Sequence, residues 1–293
     1  MNDTVQITQV ADGIHFARTT LANWVVLTRQ PTDQGGDDAP HDADVALVDC
    51  GYPAHLPQVR ASVRAAVGHD APVRTVLVTH AHADHIGTAA RLVADDGAEV
   101  RCGSAELAGV RREEKYQVDI GDIVRHPSPS VLRWTVRAVR AGGLRDVAVA
   151  SAAAFDGPLV VAGHRVEPLD VPGHTPGHLA YWLPDARVLI SGDALVTGHP
   201  LSRVLGPQLL HPMFHQDLDR TTETLDRFAG LDARWVLPGH GDLLRVGGPD
   251  DDAELTTVLS TDGQEQAGTV TPASVPDLAE AVRQARGAAG SGT

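Results

Sequence analysis

Four side chains that can bind a metal ion or transfer a proton lie within six residues of the sequence. They are His80, His82, Asp84 and His85 of the segment HAHADH, which begins at the C-terminal end of an apolar, β-type run. Burying neutral imidazoles beside a carboxylate is costly unless they share a partner. Imidazole and carboxylate groups are also common ligands of divalent metal ions. The segment therefore predicts a metal site at a strand end, with a solvated surface loop as the alternative.

Three further segments place histidine or aspartate directly after a predicted strand. They are GHTPGH, with His174 and His178, then GD, with Asp193, and PGHGD, with His240. Glycines flank each of these residues, and glycine lets a backbone turn sharply and approach a ligand closely. Because the loops at strand ends converge on sites in α/β architectures, we expect these segments to meet HAHADH.

Strands and helices alternate through the middle of the chain and must position these residues. The sequence predicts strands over 5–10, 13–18, 22–28, 45–51, 74–80, 98–103, 146–151, 159–162, 165–171 and 233–239, a hairpin over 181–193, and helices over 56–68, 85–97 and 217–230. Alternation of this kind, preceded by hairpin-like strands, predicts a layered α/β fold. The two halves of the chain are each β-rich with helices, which favours a pseudo-symmetric sandwich.

Three regions interrupt this pattern. Residues 30–44 form a polar loop rich in Gly and Asp, and residues 104–145 contain two helical pieces around the break HPSPS. From residue 247 the chain is polar, with one amphipathic piece over 275–286 and a Gly/Ser-rich end. We expect one domain over residues 1–248 with an insertion at about 104–145, and an extension over 249–293 that is partly helical or disordered.

The set HAHADH, GHTPGH, SGD and PGHGD, in that order over residues 80–242, resembles the metallo-β-lactamase-fold hydrolase superfamily. The opening strands with LVDCG at 47–51 look like the first half of that fold. The resemblance covers about residues 5–245. It implies a four-layer αββα sandwich with a helical insertion.

The resemblance also implies a ligand set for two metal ions. The matching residues are His80, His82 and His174 for the first ion, Asp84, His85 and His240 for the second, and Asp193 as the bridge between them. Asp49 and His178 match positions that support the ligands without binding the ions. Imidazole and carboxylate ligands without thiolate suit Zn²⁺, which we expect at both positions, with Mn²⁺ or Fe²⁺ as alternatives.

Such a pair of ions would share a water whose pKa falls to ~7, so that a bridging hydroxide is the nucleophile at neutral pH. The ions would also polarise the scissile carbonyl and stabilise the oxyanion. Asp84 is the candidate catalytic residue, because a carboxylate beside that hydroxide can orient it and carry its proton to the leaving group.

With an aspartate at position 193 and the motif GHTPGH, the chain resembles glyoxalase II, lactonases and related hydrolases more than it resembles true β-lactamases. We therefore expect hydrolysis of an ester, thioester or lactone of a small metabolite. The long stretch between His85 and His174 and the lack of a basic cluster differ from glyoxalase II. The alternatives are a persulfide dioxygenase with one iron ion, a β-lactam or phosphodiester hydrolase, and a metal-stabilised binding module without activity.

Three residues are candidates for substrate binding. Tyr116 lies in the insertion and could donate a hydrogen bond to an oxyanion, whereas His199 and His215 follow Asp193 in the chain. For each of them, packing or solvent exposure is the competing explanation.

Charge and composition exclude several functions. The formal net charge is -14, and Lys115 is the only lysine among 24 cationic residues. Binding to nucleic acid needs clustered cations, so a nucleic-acid partner is disfavoured. We find no signal peptide and no apolar run of membrane-spanning length. These features favour a cytoplasmic protein that acts on a small molecule away from membranes, with a homo-oligomer possible.

Overall fold

Two β-sheets form the framework of the protein. The computed structural model describes residues 4–29, 44–118, 120–247, 255–261 and 264–289. In chain order, the strands are β1 (Val5–Ala11), β2 (Ile14–Arg18), β3 (Asn23–Thr28), β4 (Val45–Val48), β5 (Val73–Leu77), β6 (Glu99–Cys102), β7 (Ala153–Ala154), β8 (Leu159–Val161), β9 (His164–Asp170), β10 (Leu179–Leu183), β11 (Val188–Gly192), β12 (Trp235–Pro238), β13 (Leu244–Val246), β14 (Leu255–Thr261), β15 (Gln264–Val270) and β16 (Ala273–Val275).

Helices cover both sheets and form an insertion. In chain order, they are α1 (Leu56–Val67), α2 (Ala83–Ile86), α3 (Ala89–Asp96), α4 (Leu107–Val110), α5 (Ile120–Arg125), α6 (Pro129–Arg140), α7 (Leu218–Thr224), α8 (Asp226–Ala229) and α9 (Leu278–Ala289). In the part of the chain that the structure describes, no helix has the length and apolar character needed to span a membrane.

The first sheet has the order β15-β14-β1-β2-β3-β4-β5-β6-β7, and the second has the order β16-β13-β12-β11-β10-β9-β8. Strands β4, β5, β6 and β7 run parallel to one another, and β11 runs parallel to β12. Because parallel strands end at the same edge of a sheet, the loops that follow β4, β5, β11 and β12 can meet.

Apolar side chains from both sheets form the core between them. Phe16 and Leu27 of the first sheet belong to the same buried cluster as Tyr181 and Ile190 of the second. Strands β3, β4, β10 and β11 are buried along their whole length. Strands that are covered on both faces read as continuous apolar runs, which is the pattern in NWVVLT and VALV.

Helices pack on the outer face of each sheet. Val59 and Val63 of α1 pack with Leu92 of α3 against the first sheet, and Phe228 of α8 packs with Val282 of α9 against the second. The expected four-layer αββα sandwich is therefore confirmed. Its layers follow from amphipathic helices that bury their apolar stripes on the sheets.

The helical insertion after β6 contains α4, α5 and α6. The HPSPS segment marks the start of α6, because the Ser128 side chain accepts a hydrogen bond from Val131 N at 3.1 Å and Pro129 occupies the first helical position. Serine at the cap and proline at the first position are the preferred residues for a helix start.

The strand predicted over 146–151 is wrong, because these residues form an irregular segment. Val147 and Val149 are buried, with 2% exposure each. The backbone N–H of Val149 donates to the carbonyl of Val110 at the end of α4 instead of to a neighbouring strand. Alternating burial arises here from packing against the insertion, which period-two patterning alone cannot distinguish from a strand.

The predicted helix over 85–97 divides into α2 and α3 at Gly87. A Cβ atom on Gly87 would lie 2.4 Å from the backbone nitrogen of Pro53. The predicted helix over 217–230 similarly divides into α7 and α8. The close backbone approach at Gly87 brings α2, which carries Asp84 and His85, against the loop after β4.

Residues beyond 254 take part in both sheets, and the sequence analysis missed their three strands. β14 pairs with β1, β15 pairs with β14, and β16 pairs with β13. Polar edge strands such as β15, exposed over most of its length, lack the apolar alternation that reveals a strand. The Gly/Ser-rich end over 290–293 and the loop over 30–43 lie outside the described residues, and a domain boundary at 248 stays a prediction.

Candidate metal centre

Loops at the C-terminal ends of five strands meet at one buried place between the sheets. Asp49 follows β4, the HAHADH segment follows β5, His174 follows β9, Asp193 follows β11 and His240 follows β12. The structure therefore brings together all seven residues that the family resemblance matched to metal ligands, as two groups of three with Asp193 close to both.

The first group consists of three imidazoles that converge on one point. His80 Nε2 lies 3.1 Å from His82 Nδ1, and His174 Nε2 lies 3.2 Å and 3.0 Å from these two atoms. Nitrogen ligands at 2.0–2.1 Å from a tetrahedral zinc ion would be about 3.3 Å apart. The three nitrogens thus have nearly the separation that a shared ion requires.

The second group consists of Asp84, His85 and His240. Asp84 Oδ2 lies 3.4 Å from His240 Nε2 and 3.9 Å from His85 Nε2. The Nε2 atom of His85 is buried without a hydrogen-bond partner. A buried nitrogen of this kind costs free energy unless a ligand satisfies it, so this group also fits a metal ion.

Asp193 lies between the two groups. Its Oδ2 atom is 3.4 Å from His174 Nε2 and 3.7 Å from His80 Nε2 in the first group. The same atom is 3.5 Å from His85 Nε2 and 3.2 Å from His240 Nε2 in the second. Its Oδ1 atom is buried without a hydrogen-bond partner. One carboxylate oxygen therefore faces both groups.

Hydrogen bonds from neighbouring groups orient three of the imidazoles. Asp49 accepts from His85 Nδ1 at 2.7 Å and from the Thr79 hydroxyl at 2.7 Å. Because that hydroxyl donates to Asp49, it accepts from His80 Nδ1 at 2.9 Å. The carbonyl of Tyr116 accepts from His82 Nε2 at 2.9 Å. Each bond places the proton on the outward nitrogen, which leaves the inward nitrogen free to bind a metal ion.

Two glycines leave space for the side chains of Asp193 and His178. A Cβ atom on Gly239 would lie 2.1 Å from Asp193 Oδ1, and a Cβ atom on Gly192 would lie 2.8 Å from His178 Nε2. Gly192 also has a φ angle of 53°, in the left-handed region that favours glycine. His178 Nε2 accepts from the backbone N–H of Asp193 at 3.0 Å. His178 thus contacts the backbone of Asp193 without belonging to either group.

Burial and neighbouring charges shift the pKa values in opposite directions within the centre. Burial holds the pKa values of His80 and His174 well below the usual range, so these rings are neutral. For His240, burial opposes the charged form, but the charges of Asp193 and Asp84 outweigh it and raise the pKa to about 9. Asp193 has a pKa well below its usual value, because the nearby His240 and His85 outweigh burial. The two carboxylates therefore attract positive charge, which a divalent ion can supply.

Glu106 has a role at the centre that the sequence analysis missed. Its carboxylate is fully buried and accepts hydrogen bonds from Ala81 N at 2.8 Å, Thr175 Oγ1 at 2.9 Å and Gly177 N at 2.9 Å. Burial raises the pKa of Glu106 to about 7 against the effect of these bonds. Glu106 connects the two ligand-bearing loops, HAHADH and GHTPGH. A single acidic residue outside any motif offers no spacing that could reveal this role.

Thr79 and Tyr52 were also missed. Thr79 links Asp49 to His80, as described above, but it precedes the motif and looks like an ordinary strand residue. Tyr52 lines the cavity over the centre. Burial, together with the charges of Asp84 and Asp193, raises the pKa of Tyr52 well above its usual value.

The three candidate substrate-binding residues occupy different places. His199 lines the cavity, and its ring centroid lies 5.1 Å from that of His240. The ring of His215 lies 5.1 Å from that of His174, and its Nδ1 and Nε2 atoms contact Thr221 Oγ1 and the Leu210 carbonyl. The Tyr116 hydroxyl donates to Glu114. Their roles in substrate binding stay predictions.

A family model described as the metallo-beta-lactamase superfamily matches residues 39–240. The chain belongs to this superfamily, in agreement with the resemblance found in its motifs. Because the match ends at His240, it contains every residue of the two groups.

Among curated relatives, the chain is similar to the probable metallo-hydrolase YflN of Bacillus subtilis, with 27% identity over 80% of this chain and 85% of that protein. It is 29% identical to a hydroxyacylglutathione hydrolase of Roseobacter denitrificans over 56% of this chain and 47% of that protein. It is also 29% identical to the human acyl-coenzyme A thioesterase MBLAC2 over 58% of each chain. The chain thus spans about half the length of the last two relatives.

Among solved structures, a metallo-beta-lactamase family protein from Thermus thermophilus has a TM-score of 0.54 and 23% identity, covering 80% of this chain and 75% of that one. The subclass B3 metallo-beta-lactamase MEM-A1, from a soil metagenome library, has a TM-score of 0.52 and 18% identity, covering 80% of each chain. At these identities the likeness shows the shared fold alone.

Proposed function

We propose that the protein is a metal-dependent hydrolase that cleaves an ester, thioester or lactone of a small metabolite. The observation that carries this proposal is the position of Asp193 Oδ2, which lies 3.2 to 3.7 Å from imidazole nitrogens of both groups. A carboxylate oxygen shared in this way suits two divalent metal ions. Among divalent metals, Zn²⁺ best matches a set of donors that contains only imidazole and carboxylate groups.

When bound, such ions would supply an activated water and polarise the substrate carbonyl. The first group, with His80, His82 and His174, would hold one ion, and the second group would hold the other. Asp49, Thr79 and the Tyr116 carbonyl keep the imidazole protons directed away from the ions. The protein thus has its ligand atoms oriented before a metal binds.

Asp84 is the carboxylate that can act on the substrate. Its side chain is 17% exposed and lines the cavity, whereas the side chain of Asp193 is 3% exposed. Burial opposes ionisation of Asp84, but His85 and His240 outweigh it and hold its pKa below the usual value. An ionised Asp84 can orient the attacking water, accept its proton and pass that proton to the leaving group.

The relatives named as a hydroxyacylglutathione hydrolase and an acyl-coenzyme A thioesterase support hydrolysis of an acyl compound. Asp193 and the three histidines of the first group also support this proposal, because the described residues contain the whole ligand set that the family resemblance implies.

The test is metal analysis combined with an activity panel. The panel contains lactones, thioesters, β-lactams and phosphodiesters, assayed on zinc- and manganese-loaded protein, with Asp12→Ala as an exposed control for Asp193→Ala. We expect the wild type to bind about two metal ions per chain and to hydrolyse acyl substrates. Asp193→Ala should lose both the metal and the activity, whereas Asp12→Ala should keep both. One iron ion per chain together with oxygen uptake on glutathione persulfide would contradict the proposal, as would a preference for phosphodiesters.

A further inference from the structure

A cavity of about 320 Å³ opens over the metal centre. Its polar lining residues are Asp84 and Asp193, His82 and His174 of the first group, His240 of the second group, and Tyr52, Gln117, Thr135 and His199. Its walls are apolar and come largely from the insertion and from the segment after β11. These walls include Val118, Ile123, Trp134, Val139, Leu210 and Phe214.

No lysine or arginine occurs among the described residues that line this cavity, and its carboxylates are those of the metal centre. An anionic group placed between these walls would lose its hydration without gaining a cationic side chain as a partner, which is costly. An apolar group would instead gain free energy in proportion to the area that it buries. The cavity therefore suits an uncharged hydrocarbon group attached to the reacting carbonyl.

A second, more polar cleft of about 420 Å³ meets the cavity at His199 and His240. Arg18, Arg133 and Arg137 line this cleft together with one carboxylate, Asp242, which pairs with Arg18 at 2.8 Å. Arg133 and Arg137 thus leave the cleft positively charged, although the whole chain has a net charge of -14. A local positive field of this kind attracts an anion.

Helix α6 separates the two spaces and presents a different face to each. Trp134 and Ala138, four residues apart, line the cavity, whereas Arg133 and Arg137, also four residues apart, line the cleft. Side chains at this spacing lie on the same face of a helix. An apolar binding surface and a cationic one are therefore built side by side, and His240 of the second group lines both spaces.

We propose that the substrate is an ester or thioester with an uncharged, apolar acyl group in the cavity and an anionic leaving group in the arginine cleft. This inference rests on the proposed function. Water adds to the acyl carbonyl and the bond from that carbon to sulfur or oxygen breaks. The leaving group takes the proton of the water, giving a carboxylic acid and a thiol or alcohol.

The test compares thioesters that differ in one part at a time. Octanoyl, acetyl and succinyl groups vary the acyl part, and coenzyme A, glutathione and N-acetylcysteamine supply phosphate, carboxylate and neutral leaving groups. We expect octanoyl to be preferred over acetyl and succinyl by at least tenfold in kcat/KM. We also expect octanoyl-coenzyme A, octanoyl-glutathione or both to have a higher kcat/KM than the neutral octanoyl-N-acetylcysteamine. The substrate with the higher kcat/KM of the two then identifies the preferred anionic group.

Two pairs of variants on α6 locate these preferences. Val139 lines the cavity and is 43% exposed, whereas Val136 does not line it and is 39% exposed. Val139→Asp should reduce the octanoyl to acetyl ratio at least fivefold, and Val136→Asp should leave it unchanged. The double variant Arg133→Ser with Arg137→Ser should reduce the ratio of anionic to neutral substrate about tenfold, mainly through KM, while Arg140→Ser should not.

These results also separate the two proposals. Metal-dependent hydrolysis of all the thioesters at similar rates, unaffected by Val139→Asp or by the double arginine variant, would overturn the substrate assignment and leave the proposed function intact. No hydrolysis of any thioester, oxygen ester or lactone by the metal-loaded protein would overturn both.

Discussion

Gly239 determines whether the carboxylate of Asp193 has room. A Cβ atom at this position would lie 2.1 Å from Asp193 Oδ1 and 2.8 Å from His85 Cε1. These contacts are too short for any side chain, so even a methyl group must displace Asp193 or the backbone. The constraint comes from tertiary contact alone, because Gly239 follows β12 and both neighbours belong to other loops.

Gly239→Ala should therefore weaken metal binding at least tenfold and reduce hydrolysis by a similar or larger factor. Gly230→Ala is the matched control, because a Cβ atom there has no heavy atom within 4 Å and the residue has a φ of -95°. Metal content after dialysis and circular dichroism would distinguish a local effect from unfolding. Full metal content in Gly239→Ala would show that Asp193 can move without cost.

Asp49 holds the outward proton of His85 and also accepts two hydrogen bonds from Thr79. Replacing it with asparagine keeps the size but leaves one acceptor oxygen, so at least one of these bonds is lost. Asp49→Asn should lower metal affinity about 10- to 100-fold, the range observed when the partner of a ligating histidine is changed. Competition with a chelator measures this, and the exposed Asp12→Asn is the control that should keep wild-type affinity.

At the scale of elements, the loops that carry the ligands are connected by one buried carboxylate. Glu106 begins the insertion and accepts from backbone groups of the loops after β5 and β9. Two loops from different sheets are thereby kept at a constant distance. The first metal group depends on that distance, because His80 and His82 come from one loop and His174 from the other.

Glu106→Gln should weaken metal binding at the first group about tenfold and lower the free energy of unfolding by about 1–3 kcal/mol. The amide has one acceptor oxygen and would place its NH₂ group against a donor, which leaves a buried group unsatisfied. Calorimetric metal titration and urea unfolding test the two effects. Glu99→Gln, at an exposed site on β6, should change neither, since exposed ion pairs contribute little.

Strand β2 contains a buried histidine away from the metal centre, and this residue makes stability depend on pH. Burial lowers the pKa of His15 to about 4, from its usual value of 6.5. Between these values the unfolded chain binds a proton that the folded protein does not, so stability falls as pH decreases from 6.5 towards 4.

Between pH 7 and pH 5 this linkage should cost about 2 kcal/mol of the free energy of unfolding. Over the same pH interval, the free energy of unfolding of His15→Gln, measured by urea titration, should fall by about 2 kcal/mol less than that of the wild type. The comparison with the wild type cancels the contribution of the metal centre. The exposed His69→Gln should follow the wild-type curve, and an unchanged slope in His15→Gln would show that His15 is protonated in the fold.

At the scale of the whole molecule, the C-terminal residues complete the sandwich. β14 and β15 extend the first sheet beyond β1, β16 extends the second sheet, and α9 packs against that second sheet. Leu278 and Val282 of α9 are buried in the same cluster as Phe228 of α8. The C-terminal residues therefore stabilise the layer that supports β11 and β12, from which Asp193 and His240 follow. A homo-oligomer and a cytoplasmic location stay predictions.

Leu278→Ala should lower the free energy of unfolding by about 2–5 kcal/mol, the usual cost of truncating a buried leucine. Leu278 is 1% exposed, whereas Gln284 on the same helix is exposed. Gln284→Ala should therefore change stability by less than about 0.5 kcal/mol. Chemical unfolding of both variants is the measurement. Equal stability would mean that α9 is not part of the cooperative unit.

The sequence predicted most of the residues that meet at the candidate metal centre, because they lie in short contiguous motifs at strand ends. Within HAHADH and GHTPGH the histidines and the aspartate are only a few residues apart, so their spacing indicates metal binding without knowledge of the fold. Thr79 and Glu106 escaped prediction because each acts as a single residue, and hydrogen bonds between loops are invisible in a linear sequence. Strands β15 and β16 lie at sheet edges and escaped because polar edge strands lack an apolar period.

By itself, the sequence determined the donor types, their order along the chain and the apolar strands that form the two sheets. These properties depend on local spacing and hydrophobic pattern, which act over a few residues. The tertiary structure alone decided that one oxygen of Asp193 faces both imidazole groups. It also decided that α6 divides an apolar cavity from an arginine cleft. These features depend on contacts between residues far apart in the chain, and packing sets those contacts.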